Sequence, residues 1–261
     1  MTSPLPDPTP VALFLFAHQD DEFGAFQAIL DCQRQGRRVL CAFLTEGRRH
    51  SRLAARRDKE SRRVLCSLGV AVDDIIFAGT LLAIADAALP EHLARAASWL
   101  RSWMKAFSRI ELMCIPAWEG GHHDHDALHA LAAQVAHELK VLERVRQYAL
   151  YHGQRRIWPF MRVLAPLPAN GAVEQQVITW RNRLRFLGLC LCYPSQIKVW
   201  SGLFPLVLRH YLCFGVQTLQ GVALARIAHK PHEGLLHYER KQLYTWHKMQ
   251  QNIYVWQQPT A

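Results

Sequence analysis

Between residues 11 and 151 the chain alternates short apolar runs with longer stretches of helical spacing, and this alternation leaves few folds open. The apolar runs fall at 11–17, 38–44, 75–78, 112–115 and 146–151, with helical spacing over 22–34, 52–68, 91–105 and 126–142. Short apolar strands separated by helices are joined by right-handed crossovers, which make the sheet mainly parallel and cover both of its faces. Gly36, Gly47, Gly69 and Gly79 mark element ends, as helix caps and turns do. From about Pro159 the character changes: Pro159, Pro166, Pro168 and Asn170-Gly171 form a connection into a Trp-, Leu- and Arg-rich region. There, 173–192 and 203–227 are expected as helices and 239–256 as a terminal helix. The expected division is a core over 1–158 and an elaboration over 159–261 that packs on or covers the site without being an independent domain.

A chain of 261 residues that is 50% hydrophobic can bury the core of one α/β domain. Its seven cysteines are odd in number, lie mostly in apolar runs and form no CxxC pair, which argues for a reducing compartment and against a Cys-based metal site. Residues 1–10 lack the basic start of a signal peptide. The most apolar stretch, 199–225, is broken by Pro205, Arg209, His210 and two glutamines, so no membrane span is expected and the chain reads as soluble and cytoplasmic. Lys and Arg outnumber Asp and Glu by 31 to 21, a formal charge of +10. The excess is clustered at Arg48, Arg49, Arg52, Arg56, Arg57, Arg62 and Arg63, and again at Arg181, Arg183, Arg185, Lys198 and Arg209. Such clusters suit anionic partners or a solvated basic face.

Two polar clusters follow apolar runs. Ala17-His18-Gln19-Asp20-Asp21-Glu22 follows the first, and Trp118-Glu119-Gly120-Gly121-His122-His123-Asp124-His125-Asp126 follows the fourth. In an open parallel sheet both loops emerge at the carboxyl edge, where ligands bind. Imidazole and carboxylate are the ligands of catalytic zinc, typically three protein groups plus water. His18 and Asp21 can reach one ion across a strand-to-helix turn, with Asp20 pointing past it toward its water. The third ligand is expected from the histidine cluster, where His125 and His129 also stand at the i, i+4 spacing of a helical zinc pair. Alone, His18 and Asp21 read more plainly as a capped helix start.

These motifs resemble the PIG-L/LmbE-like N-acetylglucosamine deacetylases. His18 to Glu22 and their preceding Ala17 match A-H-P-D-D-E with Gln19 for Pro, and Gly121 to Ala127 match G-H-x-D-H-x-A with His123 where Pro is common. Arg57-Asp58-Lys59-Glu60 ahead of Leu68-Gly69-Val70, Thr45-Glu46-Gly47 and Ser195-Gln196 fit the same pattern. The likeness runs in order over roughly the first 130 residues and thins beyond them. It implies a Rossmann-like α/β core with His18, Asp21 and His125 binding zinc. It further implies Asp20 as general base on the zinc-bound water, and His122 as donor to the intermediate and the leaving amine, oriented by Asp124. Arg57 is implied at the substrate or the developing oxyanion. His129 is taken as helix surface or an outer support, and His123 and Asp126 as structural.

The function so implied is zinc-dependent removal of the N-acetyl group from an N-acetylglucosamine-type sugar, in a glycoconjugate that carries a phosphate or lipid link. Peripheral contact with a membrane face goes with that reading, and no nucleic acid is expected. The alternatives are an amidase acting on another acylated small molecule and a non-catalytic basic binding module. Trp180, Trp200, Trp246 and Trp256 are expected mainly as core, and His50, His229, His232 and His237 are assigned no role.

Overall fold

The computed structural model describes residues 9–47, 51–155 and 161–258, with Ser51 and Arg52 described by backbone alone. Arg48, Arg49, His50 and Pro159, together with the boundary expected at 158, lie outside the described residues. The strands are β1 (Val11–Phe16), β2 (Arg38–Phe43), β3 (Ile75–Phe77), β4 (Ile110–Pro116), β5 (Val145–Tyr148), β6 (Tyr151–His152), β7 (Arg162–Val163), β8 (Val173–Val177) and β9 (Val216–Gly221). The helices are α1 (Phe26–Arg34), α2 (Ser51–Ser67), α3 (Ala78–Leu82), α4 (Leu93–Lys105), α5 (His123–Glu138), α6 (Trp180–Cys190), α7 (Ile197–Cys213), α8 (His237–Arg240) and α9 (Trp246–Gln257).

The main sheet has the order β3-β2-β1-β4-β5-β9-β8. Its first five strands are parallel, while β9 runs antiparallel to both β5 and β8. All six residues of β1 are buried, as a strand covered on both faces requires. The two-residue period then divides them between two cores. Val11, Leu13 and Leu15 join α4, α5 and α9 on one side, whereas Ala12, Phe14 and Phe16 join α1, α2, α6 and α7 on the other. The expected α/β architecture with helices on both faces is what the chain adopts.

The second half departs from its expected all-helical reading. Residues 173–177 and 216–221 are strands, and they lengthen the main sheet beyond β5. Their sequences, VEQQV and VQTLQG, are too polar to stand out as apolar runs, yet one face suffices at a sheet margin. Helix α7 stops where Gly215 takes φ +58°, a left-handed conformation that favours glycine, so the chain turns directly into β9. The expected terminal helix is two, α8 and α9, separated where Gln242 also has a positive φ of 55°.

Candidate metal centre

The strand order reverses between β1 and β4, and the loops that follow these two neighbours carry the site. After β1, a 3-10 turn over Asp21–Gly24 carries the chain toward α1. Its cap, Asp20, has φ 122°, a backbone conformation that costs a non-glycine residue about 1–3 kcal/mol. The Asp20 N–H donates to Glu22 Oε2 at 2.7 Å, which holds this bend. After β4, Gly120 and Gly121 lead into α5, and Gly121 is needed there because a Cβ would lie 2.1 Å from the Tyr151 carbonyl oxygen.

Three side chains meet across these loops. His18 Nδ1 lies 3.2 Å from His125 Nε2 and 3.5 Å from Asp21 Oδ2, and His125 Nε2 lies 3.1 Å from Asp21 Oδ1. A tetrahedral zinc shell with bonds of about 2.0–2.1 Å has edges of about 3.3 Å. The two nitrogens and the Asp21 carboxylate, which meets them with different oxygens, therefore stand near the separations found in such a shell, and the donor set fits zinc. His122 joins His18 and His125 in a histidine group of which each member offers a nitrogen within 4.8 Å of the others.

The surroundings decide which atoms face inward. His18 Nε2 is bound to Asp124 Oδ2 at 2.8 Å, leaving Nδ1 for the centre, the carboxylate–histidine pairing that orients metal ligands. Asp124 also accepts the N–H groups of Ala87 at 2.6 Å and Leu89 at 3.1 Å. Burial opposes its ionisation, but His18 and His122 hold its carboxyl at about 2. Asp21 is likewise ionised: against burial, His125 and His18 keep it well below the usual carboxylate range. Toward His122, the short link from Asp124 is its backbone N–H, which donates to His122 Nδ1 at 3.1 Å, while the two side chains stand 3.9 Å apart. Because Nδ1 accepts, the proton of the neutral His122 ring sits on Nε2. Burial, with His18 beside it, lowers the His122 pKa well below the ordinary histidine value.

Asp20 interacts electrostatically with Asp21 and His18, and its Oδ1 lies 3.7 Å from Arg57 Nη2. Burial pushes its carboxyl up to about 7, with Arg57 opposing the rise. Arg57 is only 4% exposed. Its guanidinium donates to Asp86 Oδ2 at 2.6 Å and to the Gln19 carbonyl at 3.0 Å. In the amide orientation that satisfies both groups, the Gln196 side-chain oxygen accepts from Arg57 Nη1 and Nη2 at 2.9 Å each.

Several neighbours carried no sequence signal. Asp86, a lone acid in an Ala-rich stretch, is bound to Arg57, to Thr45 Oγ1 at 2.7 Å and to the Gly47 N–H at 2.9 Å. Tyr151 sets its ring edge-on to both His125 and His237. Glu60 accepts the Ser195 N–H at 3.1 Å and its hydroxyl, so the Ser195-Gln196 element reaches α2 through one carboxylate and one guanidinium. His123 stacks on Tyr244 at 3° and 4.7 Å, and Asp126 accepts the Glu119 and Gly120 N–H groups, both structural contacts. His129 is not helix surface. It is 1% exposed, with Nδ1 2.9 Å from the Pro116 carbonyl, because its place on α5 faces the β4 core. Among the Trp residues, Trp200 is core, whereas Trp180 is 58% exposed beneath Arg183.

The fold and site define a class: a doubly wound α/β protein with a His/Asp/His cluster at the switch point of its sheet. Residues 13–136 match the PIG-L family model, described as GlcNAc-PI de-N-acetylase, so the chain carries a domain similar to that family. No curated protein matches the chain in sequence. Among solved structures, a deacetylase of the teicoplanin biosynthesis pathway superposes with a TM-score of 0.62 at 19% identity, over 81% of this chain and 97% of its own. The zinc-inhibited form of teicoplanin deacetylase gives 0.59 at 18% identity, over 81% and 97%. N,N'-diacetylchitobiose deacetylase from Pyrococcus horikoshii gives 0.55 at 17% identity, over 84% and 85%. At these identities the likeness is one of fold.

Proposed function

We propose that this protein is a zinc-dependent hydrolase that removes the N-acetyl group from an N-acetylglucosamine-type sugar within a glycoconjugate. The observation that carries the reading is the triangle of His18 Nδ1, Asp21 and His125 Nε2, with edges of 3.1–3.5 Å and an acid, Asp20, beside it. The PIG-L match over residues 13–136 and the deacetylase activities named for the structural relatives support the same bond. Zinc held there supplies Lewis acidity toward the amide carbonyl and lowers the pKa of water to about 7. Asp20, raised to about 7, takes the proton from the attacking water near neutrality. His122, neutral with its proton on Nε2, donates to the carbonyl oxygen as that oxygen gains charge. The leaving nitrogen needs a proton, and protonated Asp20 is the acid placed to return it.

Arg57, expected at the substrate, enters this reading through Asp20. Its donors are committed to Asp86, Gln19 and Gln196, and what it offers the site is a fixed charge 3.7 Å from the base. Residues 159–261 supply one wall through Ser195 and Gln196. The basic clusters suit a phosphate on the conjugate. We take the cytoplasm as the compartment, since all seven cysteines are free thiols.

The test is acetate release from a panel of N-acetylglucosamine conjugates by wild type and Asp20→Asn. The expected result is turnover by wild type and a loss of about 10²–10⁴-fold in the variant, with its zinc retained. Zinc-loaded wild type that cleaves acyl groups from other amines and from no sugar conjugate contradicts the sugar assignment.

A further inference from the structure

The described residues expose fifteen large hydrophobic side chains, and nine of them lie between residues 173 and 214. The crowding belongs to the α6–α7 hairpin. On α6 and its C-cap, Trp180, Leu184 and Leu191 are 58%, 65% and 65% exposed, at spacings that put them on one stripe. At the start of α7, Ile197 and Val199 are 65% and 54% exposed. Isolated exposed hydrophobics are ordinary, but a cluster of this kind marks a surface that meets something apolar.

Charge narrows what that is. From Glu174 to Glu233 the sequence holds no acidic residue, while Arg181, Arg183, Arg185, Lys198, Arg209, Arg226 and Lys230 fall inside the interval. Arg181 and Lys198 are exposed among the apolar side chains, and neither side chain has an ion-pair or hydrogen-bond partner among the described residues. A two-fold contact with a second copy would set this acid-free cationic face against itself. A bilayer carrying anionic lipid instead offers hydrocarbon to the leucines and headgroup charge to the cations. Among the described residues no helix is long and apolar enough to cross a membrane, so the contact lies along the surface.

We infer that the exposed α6–α7 face docks on an anionic bilayer surface. Ile197 and Lys198 directly follow Gln196, which binds Arg57 beside Asp20, so the docked face borders the candidate metal centre. This inference does not depend on the reaction proposed above, because vesicle binding is read without turnover.

The experiment is co-flotation of the full chain with phosphatidylcholine vesicles, with and without phosphatidylglycerol. It compares wild type with Ile197→Ser/Val199→Ser and with Arg181→Ser/Lys198→Ser, all exposed positions. Expected are tighter wild-type binding to the phosphatidylglycerol vesicles, weakening as salt rises, and a loss of about tenfold or more in each double variant. Zinc content and melting temperature should match wild type. No vesicle binding by wild type, or equal binding by all three proteins, overturns the inference. So does a wild-type dimer in solution that both double variants split, which would assign the face to a second copy.

Discussion

At the scale of single residues, the roles in the centre follow from which nitrogen of each histidine is already engaged. His18 gives Nε2 to Asp124 and keeps Nδ1 inward, whereas His122 gives Nδ1 to the Asp124 N–H and keeps an Nε2 proton. His122→Ala should therefore retain zinc and lose about 10²–10³-fold in acetate release, the usual effect of removing one oxyanion donor. A comparable loss of zinc would make it a ligand instead. His129 allows a pH test clear of the centre. Burial takes its pKa from 6.5 to about 4, so the unfolded chain binds its proton first as pH falls. Stability contributed by the neutral ring is present above about 6.5 and is lost progressively down to about 4. The loss is about 3 kcal/mol. Denaturation across that window should show a slope that His129→Gln reduces. The meeting of His18 and Asp21 with the histidine cluster was legible because both polar clusters follow strands of one parallel sheet, whereas the choice of His125 within that cluster came from the family resemblance. Asp86 was not, since a single acid between alanines acquires meaning only when folding sets it against Arg57.

At the scale of elements, α5 depends on the close approach of its entry loop to β6. Gly121→Ala would press a Cβ to 2.1 Å from the Tyr151 carbonyl, and backbone on both sides leaves little freedom to relax. Overpacking of this sort costs about 1–3 kcal/mol. The variant's melting temperature should fall by about 2–12 °C. An unchanged melting temperature would show that the loop yields freely. The parallel strands β1 to β5 announced themselves as apolar runs because both of their faces are covered. Strands β8 and β9 did not: β8 is almost wholly exposed, and β9 mixes glutamine and threonine into its buried positions. The side chains of Gln217 and Gln220 in β9 find distant backbone partners, the Gln27 N–H and the Leu167 and Gly171 carbonyls, that no local pattern reveals.

At the scale of the whole molecule, two cores back one sheet, and the buried His18, Asp21 and His125, proposed as metal ligands, sit at its carboxyl edge. Removing the metal leaves those groups 3.1–3.5 Å apart without the charge that reconciles them. An ion present at about a thousandfold its Kd stabilises the fold by about 4 kcal/mol. Chelation should thus lower the melting temperature by about 10 °C, restored by zinc. The α/β architecture was readable from strand–helix alternation alone, whereas the joining of the C-terminal half to that sheet rests on long-range pairing that the sequence does not display. What most directly decides the account is zinc bound per chain, for wild type and for His18→Ala/His125→Ala. About one equivalent on wild type and almost none on the folded variant is expected. Wild type that takes up no zinc, or a variant that holds as much, would contradict a His18/Asp21/His125 metal centre.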